Sequence, residues 1–162
     1  QAEVTIKHAK YTLGYNYLKS NNYNKAYEYF SAASMVNSSR ASENYQRDAY
    51  VRMADCQLML KQYKQALQSF QQVIDLAWDY EDYAVLQKAN LLGGMGKGKE
   101  KIKILLDFEE QYTHSSYLND ARIELADTYV SQENYQNAIA PLNKILLDKI
   151  VTSKTPIGSA SL

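Results

Sequence analysis

One stretch of the chain, residues 93–99 (GGMGKGK), carries the G-x-x-x-x-G-K spacing of a phosphate-binding loop. Such a loop needs a β-strand before it, a helix after it, and a Ser or Thr after the lysine to reach magnesium. Here a helical pattern precedes the glycines, and Glu100 follows the lysine. The stretch is therefore predicted to be a turn between two helices rather than a nucleotide site.

Other residue types suited to chemistry do not form a recognisable site. His8 and His114 lie far apart, and neither has a cysteine or a second histidine at the spacing of zinc ligands. The single cysteine, Cys56, excludes an internal disulfide and leaves the redox compartment open. Because Cys56 falls within an apolar helical pattern, we expect it to be a buried apolar residue. No cofactor or metal is expected.

Carboxylates seven residues apart share one face of a helix, as in the pairs Asp48/Asp55 and Asp120/Asp127. Acid–base catalysis would need such groups to converge on a substrate, and nothing else in the sequence supports it. The pairs are therefore interpreted as either a solvated helix face or the lining of a groove. We expect no enzyme activity.

Charge and hydropathy exclude two classes of partner. Eighteen basic and eighteen acidic side chains give a net charge of zero, so no overall field favours nucleic acid or an anionic membrane. No apolar run approaches the roughly 20 residues needed to span a bilayer. Four lysines form a local basic patch, interpreted as a solvated face or a minor contact with an anionic partner: Lys97, Lys99, Lys101 and Lys103.

The helices that position these residues follow a repeat marked by an alanine that returns at intervals of 40, 35, 37 and 39 residues. A period of this size predicts a helical-repeat solenoid. Further columns recur at spacings of three and four, which place them on one helix face. The recurring alanine is Ala9, Ala49, Ala84, Ala121 and Ala160, and the small residue five positions later is Gly14, Ala54, Ala89 and Ala126. On the second helix, the small position holds Ala26, Ala66, Lys101 and Ala138, and the large position holds Phe30, Phe70, Leu105 and Leu142.

This pattern resembles the tetratricopeptide repeat (TPR), in which a helix A and a helix B form each unit. The resemblance implies an all-α fold, a right-handed α-α superhelix built as one solenoid domain over residues 1–162. Repeats are predicted at 7–40, 47–80, 82–115 and 119–148. The first is the best copy and the third the poorest, because Lys101 occupies the small position. The aromatic residue of TPRs near the start of helix A is replaced by Lys10, Tyr50, Val85 and Arg122.

The ends of the sequence predict a piece of a larger protein. There is no starting Met and no signal peptide, and residues 152–162 align with residues 113–123 at an offset of 39. Residues 149–162 are therefore predicted to be the truncated start of a further repeat, poorly packed or ordered by a neighbouring molecule. The repeat periods exceed those of ordinary TPRs, which indicates longer B helices or B-to-A loops, most clearly at residues 37–44.

The TPR resemblance also implies a binding groove on the concave face of the A helices. The candidate partner-binding residues are Tyr11, Tyr15, Asp48, Arg52, Asp55, Tyr83, Gln87, Asn90, Asp120, Glu124 and Asp127. TPR domains that bind C-terminal carboxylates use lysines on this surface. The required lysines are missing here, and Arg52 is the only well-placed cation. The groove becomes acidic toward its C-terminal half. We expect a polar and aromatic peptide or protein surface as partner.

Residues 48–56, 83–89 and 100–102 further resemble the large multi-TPR proteins of bacterial cell envelopes, such as the periplasmic coordinators of outer-membrane assembly and of the Tol-Pal system. That resemblance implies an envelope or periplasmic location. The leading hypothesis is a non-catalytic scaffold that binds another protein. The alternatives are a docking or regulatory segment of a larger envelope enzyme or transport complex, and a self-association module whose exposed repeat ends stack.

Overall fold

The computed structural model describes residues 2–34 and 44–154 of the chain. Within these ranges all regular structure is α-helical, as predicted, and the helices pair as A and B of successive repeats. The helices are α1 Ala2–Lys19, α2 Tyr23–Ser34, α3 Asn44–Met59, α4 Tyr63–Asp75, α5 Glu81–Gly94, α6 Gly98–Gln111, α7 Leu118–Ser131 and α8 Tyr135–Lys154. None of the helices in the described ranges is long and apolar enough to cross a membrane.

The same turn joins helix A to helix B in each described repeat. Its central residue has positive φ: Asn21 (57°), Lys61 (60°), Gly96 (80°) and Glu133 (59°). The amide after it donates to the carbonyl five residues earlier, for example Lys97 N to Leu92 O at 2.9 Å, which is the hydrogen bond of a Schellman motif. Glycine adopts this φ without strain, so the glycine-rich stretch at residues 93–99 is the least strained copy. Its predicted role as a turn is confirmed.

A buried cluster joins α2 to α3, the B helix of one repeat to the A helix of the next. Ala26, Phe30 and Ala33 come from α2, and Ala49, Met53 and Cys56 from α3. Burial raises the pKa of the Cys56 thiol to about 12, so the thiol stays protonated and its predicted apolar role is confirmed.

Gly14 allows α1 and α2 to approach closely in this region. A Cβ at Gly14 would lie 2.7 Å from the Phe30 ring. A larger residue at position 14 would therefore require the Phe30 ring to shift, whereas the second repeat holds Ala54 and Phe70 at the same two positions.

The third repeat keeps its helix contact through a paired exchange. Lys101 of α6 replaces the small residue of the other repeats, and Gly93 of α5 replaces the leucine or valine that faces it elsewhere (Leu18, Leu58 and Val130). A Cβ at Gly93 would lie 2.6 Å from the Lys101 Cδ atom. The volume missing from helix A is thus supplied by the lysine stem of helix B.

The described chain separates into two compact units, Gln1–Lys88 and Ala89–Leu162, whose boundary falls within α5. Helix α8 differs from the sequence expectation because it continues through Lys154, so residues 149–154 belong to it rather than to the start of a further repeat. The apolar residues Ile150 and Val151 extend its pattern, and no proline follows until Pro156. Residues 155–162 and most of the 37–44 segment lie outside the described residues.

Candidate functional site

Three A-helix tyrosines converge on a centre of two carboxylates and an arginine in the first unit. The hydroxyls of Tyr11 and Tyr15 on α1 both donate to Oδ2 of Asp48 on α3, at 2.8 and 2.5 Å. From α5, the hydroxyl of Tyr83 donates to Oδ1 of Asp55 at 2.7 Å. We call Tyr11, Tyr15, Asp48, Arg52, Asp55 and Tyr83 the tyrosine–aspartate cluster.

Arg52 lies between the two carboxylates of the cluster. Its Nη1 atom contacts Asp55 Oδ2 at 2.5 Å, and its Nε atom lies 3.5 Å from Asp48 Oδ1. The spacings of four and three residues place all three side chains on one face of α3. The guanidinium also stands over the Tyr83 ring, 5.3 Å from its centroid, which adds a cation–π contact.

Packing against the core fixes the three phenols. The rings of Tyr11 and Tyr15 meet the Phe30 ring edge-to-face at centroid distances of 6.2 and 5.1 Å. Tyr83 meets Phe70 in the same way at 6.2 Å. Phe30 and Phe70 occupy the same position in successive repeats; Tyr11 and Tyr15 meet Phe30 from within the first repeat, and Tyr83 meets Phe70 from the repeat that follows. Each ring is thus anchored while its hydroxyl points to a carboxylate.

Burial and the carboxylates keep the phenols protonated. The pKa values of Tyr15 and Tyr83 are raised by burial first and then by the adjacent Asp48 and Asp55 carboxylates. Tyr80, just before α5, has its pKa raised to about 12 by burial and by Asp48. Burial also raises the pKa of Asp55, although the Arg52 charge and the Tyr83 hydroxyl oppose that shift. The phenols act as hydrogen-bond donors at neutral pH.

The groups of the tyrosine–aspartate cluster pair with one another. Tyr11, Tyr15 and Tyr83 donate to Asp48 or Asp55, and burial followed by the carboxylates raises their pKa values, so the phenols stay protonated at neutral pH. In the described ranges, no group of three or more His, Cys, Asp or Glu side chains gathers as metal ligands. Asp48 and Asp55 are largely enclosed, and the partly exposed tyrosines form the outer part of the cluster. The structure therefore brings six of the sequence-predicted residues together as one internally bonded surface.

Gln87, the last candidate in the first unit, shares a side-chain hydrogen bond with Tyr83; burial and then Asp55 raise the pKa of Tyr83, and Arg52 and Gln87 oppose that shift. The other candidates belong to the second unit and are more dispersed. Glu124 of α7 pairs with Lys101 Nζ at 2.7 Å. Asp120 and Asp127 are exposed. The Oδ1 atom of Asn90 is buried without a hydrogen-bond partner among the described residues.

Asp120, Glu124 and Asp127 follow spacings of four and three residues, so they share one face of α7. We call these three residues the acidic face of α7. Among the described residues, Glu124 pairs with Lys101, and Asp120 and Asp127 are exposed to solvent. This face is consistent with the expected acidic half of the groove, whose role in binding stays a prediction.

Sequence reasoning missed a second ionic group in the second unit. Arg122 of α7 contacts Glu109 Oε1 of α6 at 2.8 Å and Asp148 Oδ2 of α8 at 2.5 Å, and Lys144 Nζ lies 2.9 Å from Glu109 Oε2. We call Arg122, Glu109, Asp148 and Lys144 the Arg122 cluster. The signal in the sequence is an arginine at a position where TPRs carry an aromatic residue. These residues join helices and form no reactive site.

Two segments of the chain, residues 8–39 and 48–77, each match a family model described as tetratricopeptide repeat. These two segments are tetratricopeptide repeats. No curated protein sequence matches the chain.

Several solved structures are similar to most of the chain. The apo form of RapI matches with a TM-score of 0.77 and 15% identity, over 94% of this chain and 59% of RapI. MamA from Desulfovibrio magneticus RS-1, in a form that begins at residue 41, matches with a TM-score of 0.70 and 16% identity, over 91% of this chain and 77% of MamA. YrrB, described as a TPR protein with an unusual peptide-binding site, matches with a TM-score of 0.63 and 25% identity, over 85% of this chain and 66% of YrrB. These likenesses confirm the predicted all-α repeat fold.

Proposed function

We propose that the chain is a non-catalytic scaffold that binds a protein or peptide partner on the exposed faces of its A helices. TPR folds are generally protein-interaction scaffolds, and YrrB, at 25% identity, carries a peptide-binding site. The observation that carries the proposal is the tyrosine–aspartate cluster. Aromatic side chains held in place by core packing and hydrogen bonds lose little entropy when a partner binds.

The first unit contributes an aromatic and hydrogen-bonding surface. The Tyr11 and Tyr15 rings are anchored on Phe30 and keep part of their area open. Their hydroxyls already donate to Asp48, so a partner meets a surface whose strongest charges are compensated. Such a surface favours apolar or aromatic side chains of the partner, because partly exposed rings gain contact area without leaving a buried charge unpaired.

The second unit contributes negative charge. The exposed Asp120 and Asp127 on the acidic face of α7 favour lysine or arginine side chains of a partner and oppose a C-terminal carboxylate. The first unit therefore favours aromatic or apolar side chains of a partner, and the second unit, taken by itself, favours basic ones. Binding through the acidic face is expected to weaken with salt, since exposed charges are screened.

The proposal is tested by selecting random peptides from a display library on the immobilised chain, with an unrelated helical protein as the counter-selection. The expected peptides are enriched in basic and aromatic residues. An Asp127→Lys variant should weaken the best peptide by about tenfold, or 1.4 kcal/mol. The matched control is Asp107→Lys, which makes the same charge change at an exposed position of α6.

A Tyr15→Phe variant tests the first unit, because it keeps the ring on Phe30 and removes only the hydroxyl. We expect peptide affinity to fall less in this variant than in Tyr15→Ala, which removes the aromatic surface. Failure to enrich any peptide, or equal losses in Asp127→Lys and Asp107→Lys, would contradict the groove assignment.

A second candidate function is a docking or regulatory segment of a larger envelope enzyme or transport complex. It is supported by the resemblance of residues 48–56 and 83–89 to the large multi-TPR proteins of bacterial envelopes. The sequence that flanks this chain in its gene separates the two. A neighbouring catalytic or transport domain favours the docking segment, and a signal peptide with further repeats favours the envelope scaffold.

A further inference from the structure

Arg47 on α3 differs from the other arginines of the described ranges, because no carboxylate there pairs with it. Arg52 and Arg122 each contact two carboxylates. Arg47 is partly buried, and its Nε atom is enclosed without a hydrogen-bond partner among the described residues. Enclosing a charge without a counter-ion costs stability. This guanidinium therefore points to a ligand that the described part of the chain does not supply.

An indole ring holds this guanidinium in place. The Arg47 Cζ atom lies 5.8 Å from the ring centroid of Trp78, the single tryptophan of the chain. Trp78 lies in the connection from α4 to α5, directly after Ala77, whose φ of 48° ends the helical path of α4. A guanidinium that lies over an aromatic face can still use the N–H groups of its edge. The Trp78 ring therefore positions Arg47 without using its donors.

The side chains around Trp78 offer donors rather than acceptors. The Tyr50 ring meets the Trp78 ring edge-to-face at 5.6 Å, and the Tyr50 hydroxyl donates to Gln72 Oε1 at 2.6 Å. Burial raises the pKa of Tyr50, so its hydroxyl remains a donor at neutral pH. Because Oε1 is occupied, Gln72 presents its amide N–H groups, and the Trp78 indole N–H has no acceptor among the described residues. A ligand with acceptor oxygens matches this set.

The local charges select the kind of oxygen ligand. Within the described ranges, Arg47 is the only cation that contacts the Trp78 ring. One guanidinium compensates one carboxylate, and its forked donors fit both carboxylate oxygens. A phosphate group carries a charge of about −1.5 to −2 at neutral pH, which would stay partly uncompensated near the exposed Asp79. The site therefore fits a carboxylate better than a phosphate.

We propose that an aspartate or glutamate side chain of an acidic partner segment docks on four residues of the first unit: Arg47, Tyr50, Gln72 and Trp78. We call these four residues the Arg47–Trp78 site. Successive residues of a helix are turned by about 100°, so Arg47 and Tyr50 lie on a different face of α3 from the charged residues of the tyrosine–aspartate cluster. Binding at the Arg47–Trp78 site is therefore independent of the function proposed for the exposed faces of the A helices.

The test uses the indole N–H resonance of Trp78, which reports on the site directly because the chain has one tryptophan. A capped tetraglutamate peptide is titrated into the intact, isotope-labelled chain at an ionic strength of about 0.15 M, where the screening length is about 8 Å. The resonance should shift and saturate, whereas a capped tetraglutamine peptide should leave it in place. Arg47→Gln should weaken tetraglutamate binding by about tenfold, because the charge-assisted hydrogen bonds are lost.

Lys64→Gln is the matched control, because it removes one positive charge from an exposed position about 12 Å along α4 from Gln72. It should change tetraglutamate binding by less than about twofold, since that distance exceeds the screening length. Arg47→Lys keeps the charge without the forked donors and should bind with intermediate affinity. The dispersion of the amide spectrum checks that each variant is folded, and Arg47→Lys decides the test if Arg47→Gln is not.

Three results would overturn the proposal. The first is an indole resonance that tetraglutamate does not move, and the second is an equal loss of binding in Arg47→Gln and Lys64→Gln. The third is tighter binding of inorganic phosphate than of tetraglutamate at the same resonance, which would assign the site to a phosphoryl ligand. A lower thermal midpoint of Arg47→Gln with unchanged tetraglutamate binding would likewise overturn it, since Arg47 would then act in folding alone.

Discussion

The first compact unit surrounds its enclosed carboxylates mainly with phenols, whereas the second surrounds its carboxylates with cations. Asp48 accepts hydrogen bonds from Tyr11 and Tyr15, and Arg52 is the only cation of that cluster. In the second unit, Arg122 and Lys144 both contact Glu109. Phenol hydrogen bonds depend on direction and core packing, while ion pairs at partly exposed sites depend on ionic strength. The same repeat thus builds a hydrogen-bonded, aromatic surface in one place and a helix contact made of ion pairs in another.

The largest expected effect comes from removing the acceptor of the first unit. Asp48→Ala leaves two phenol hydroxyls and part of the Arg52 guanidinium without their partner in a largely enclosed site, at a cost of about 3 kcal/mol in the free energy of unfolding. Urea unfolding measures this loss. Asp48→Asn keeps an acceptor oxygen and should lose less. If Asp48→Ala destabilises no more than the exposed change Asp127→Ala, the cluster does not hold the helices together.

A smaller loss is expected from the cation of the second unit. Arg122→Ala removes contacts to Glu109, Asp148 and Asn119, and should cost about 2 kcal/mol at low salt. The loss should shrink in 1 M salt, where the screening length is about 3 Å. Arg122→Lys preserves the charge without the forked geometry, so its free energy of unfolding should lie between those of the unmodified chain and of Arg122→Ala. A loss that is unchanged by salt would show that the Arg122 cluster acts by packing alone.

A third change tests how the cation Lys101 is accommodated. Gly93→Leu alone should destabilise the chain, because its side chain meets the Lys101 stem. In a Lys101→Ala background the same leucine restores the pairing of the other repeats, so the two changes should couple by roughly 1 kcal/mol in a double-mutant cycle. Strict additivity would mean that Gly93 and Lys101 do not share this space.

The sequence predicted much of this fold because each repeat buries the same positions. The recurrence of Ala49, Ala84 and Ala121 indicated the A helices, and their burial confirms that packing role. Tyr11 and Tyr15 could be placed on a common helix face by spacing alone. Their shared acceptor Asp48 could not, because that contact depends on how the next A helix is rotated, which spacing does not specify.

Two features escaped prediction for different physical reasons. The end of α8 was misplaced because sparse matches such as Thr152 to Thr113 carry less weight than the continued apolar pattern at Ile150 and Val151. The exchange between Gly93 and Lys101 looked like degeneration of the third repeat when each position was compared separately. It becomes a compensation only when the two facing helices are considered together.

The smallest expected difference between the units is how the stability that each carboxylate contributes changes as pH falls. Burial raises the pKa of Glu109, but hydrogen bonds from Lys144 and Arg122 outweigh it and leave the pKa below its ordinary value of 4.5. Its ionised form therefore stabilises the fold above that value, and the contribution is lost as pH falls through the lowered pKa. Asp55 has a raised pKa, so the cost of its charge is relieved as pH falls.

Urea unfolding between pH 6 and pH 3 measures these opposite contributions. In Glu109→Gln, the free energy of unfolding should fall less steeply as pH is lowered than in the unmodified chain. In Asp55→Asn, the small stabilisation that protonation of Asp55 provides at low pH should be absent. Identical pH slopes in both variants and in the unmodified chain would contradict the assigned directions.

Amide hydrogen exchange resolved by residue, at neutral pH in low salt and in 1 M salt, tests the contrast between the two units most directly. Protection of the amides in α7 and α8 is predicted to fall in high salt, since the Arg122 cluster is screened, while protection in α1 and α3 changes little. Equal loss of protection in both units would show that the tyrosine–aspartate cluster also depends on charge. That result would contradict the claim that phenol hydrogen bonds and core packing hold the first surface in place.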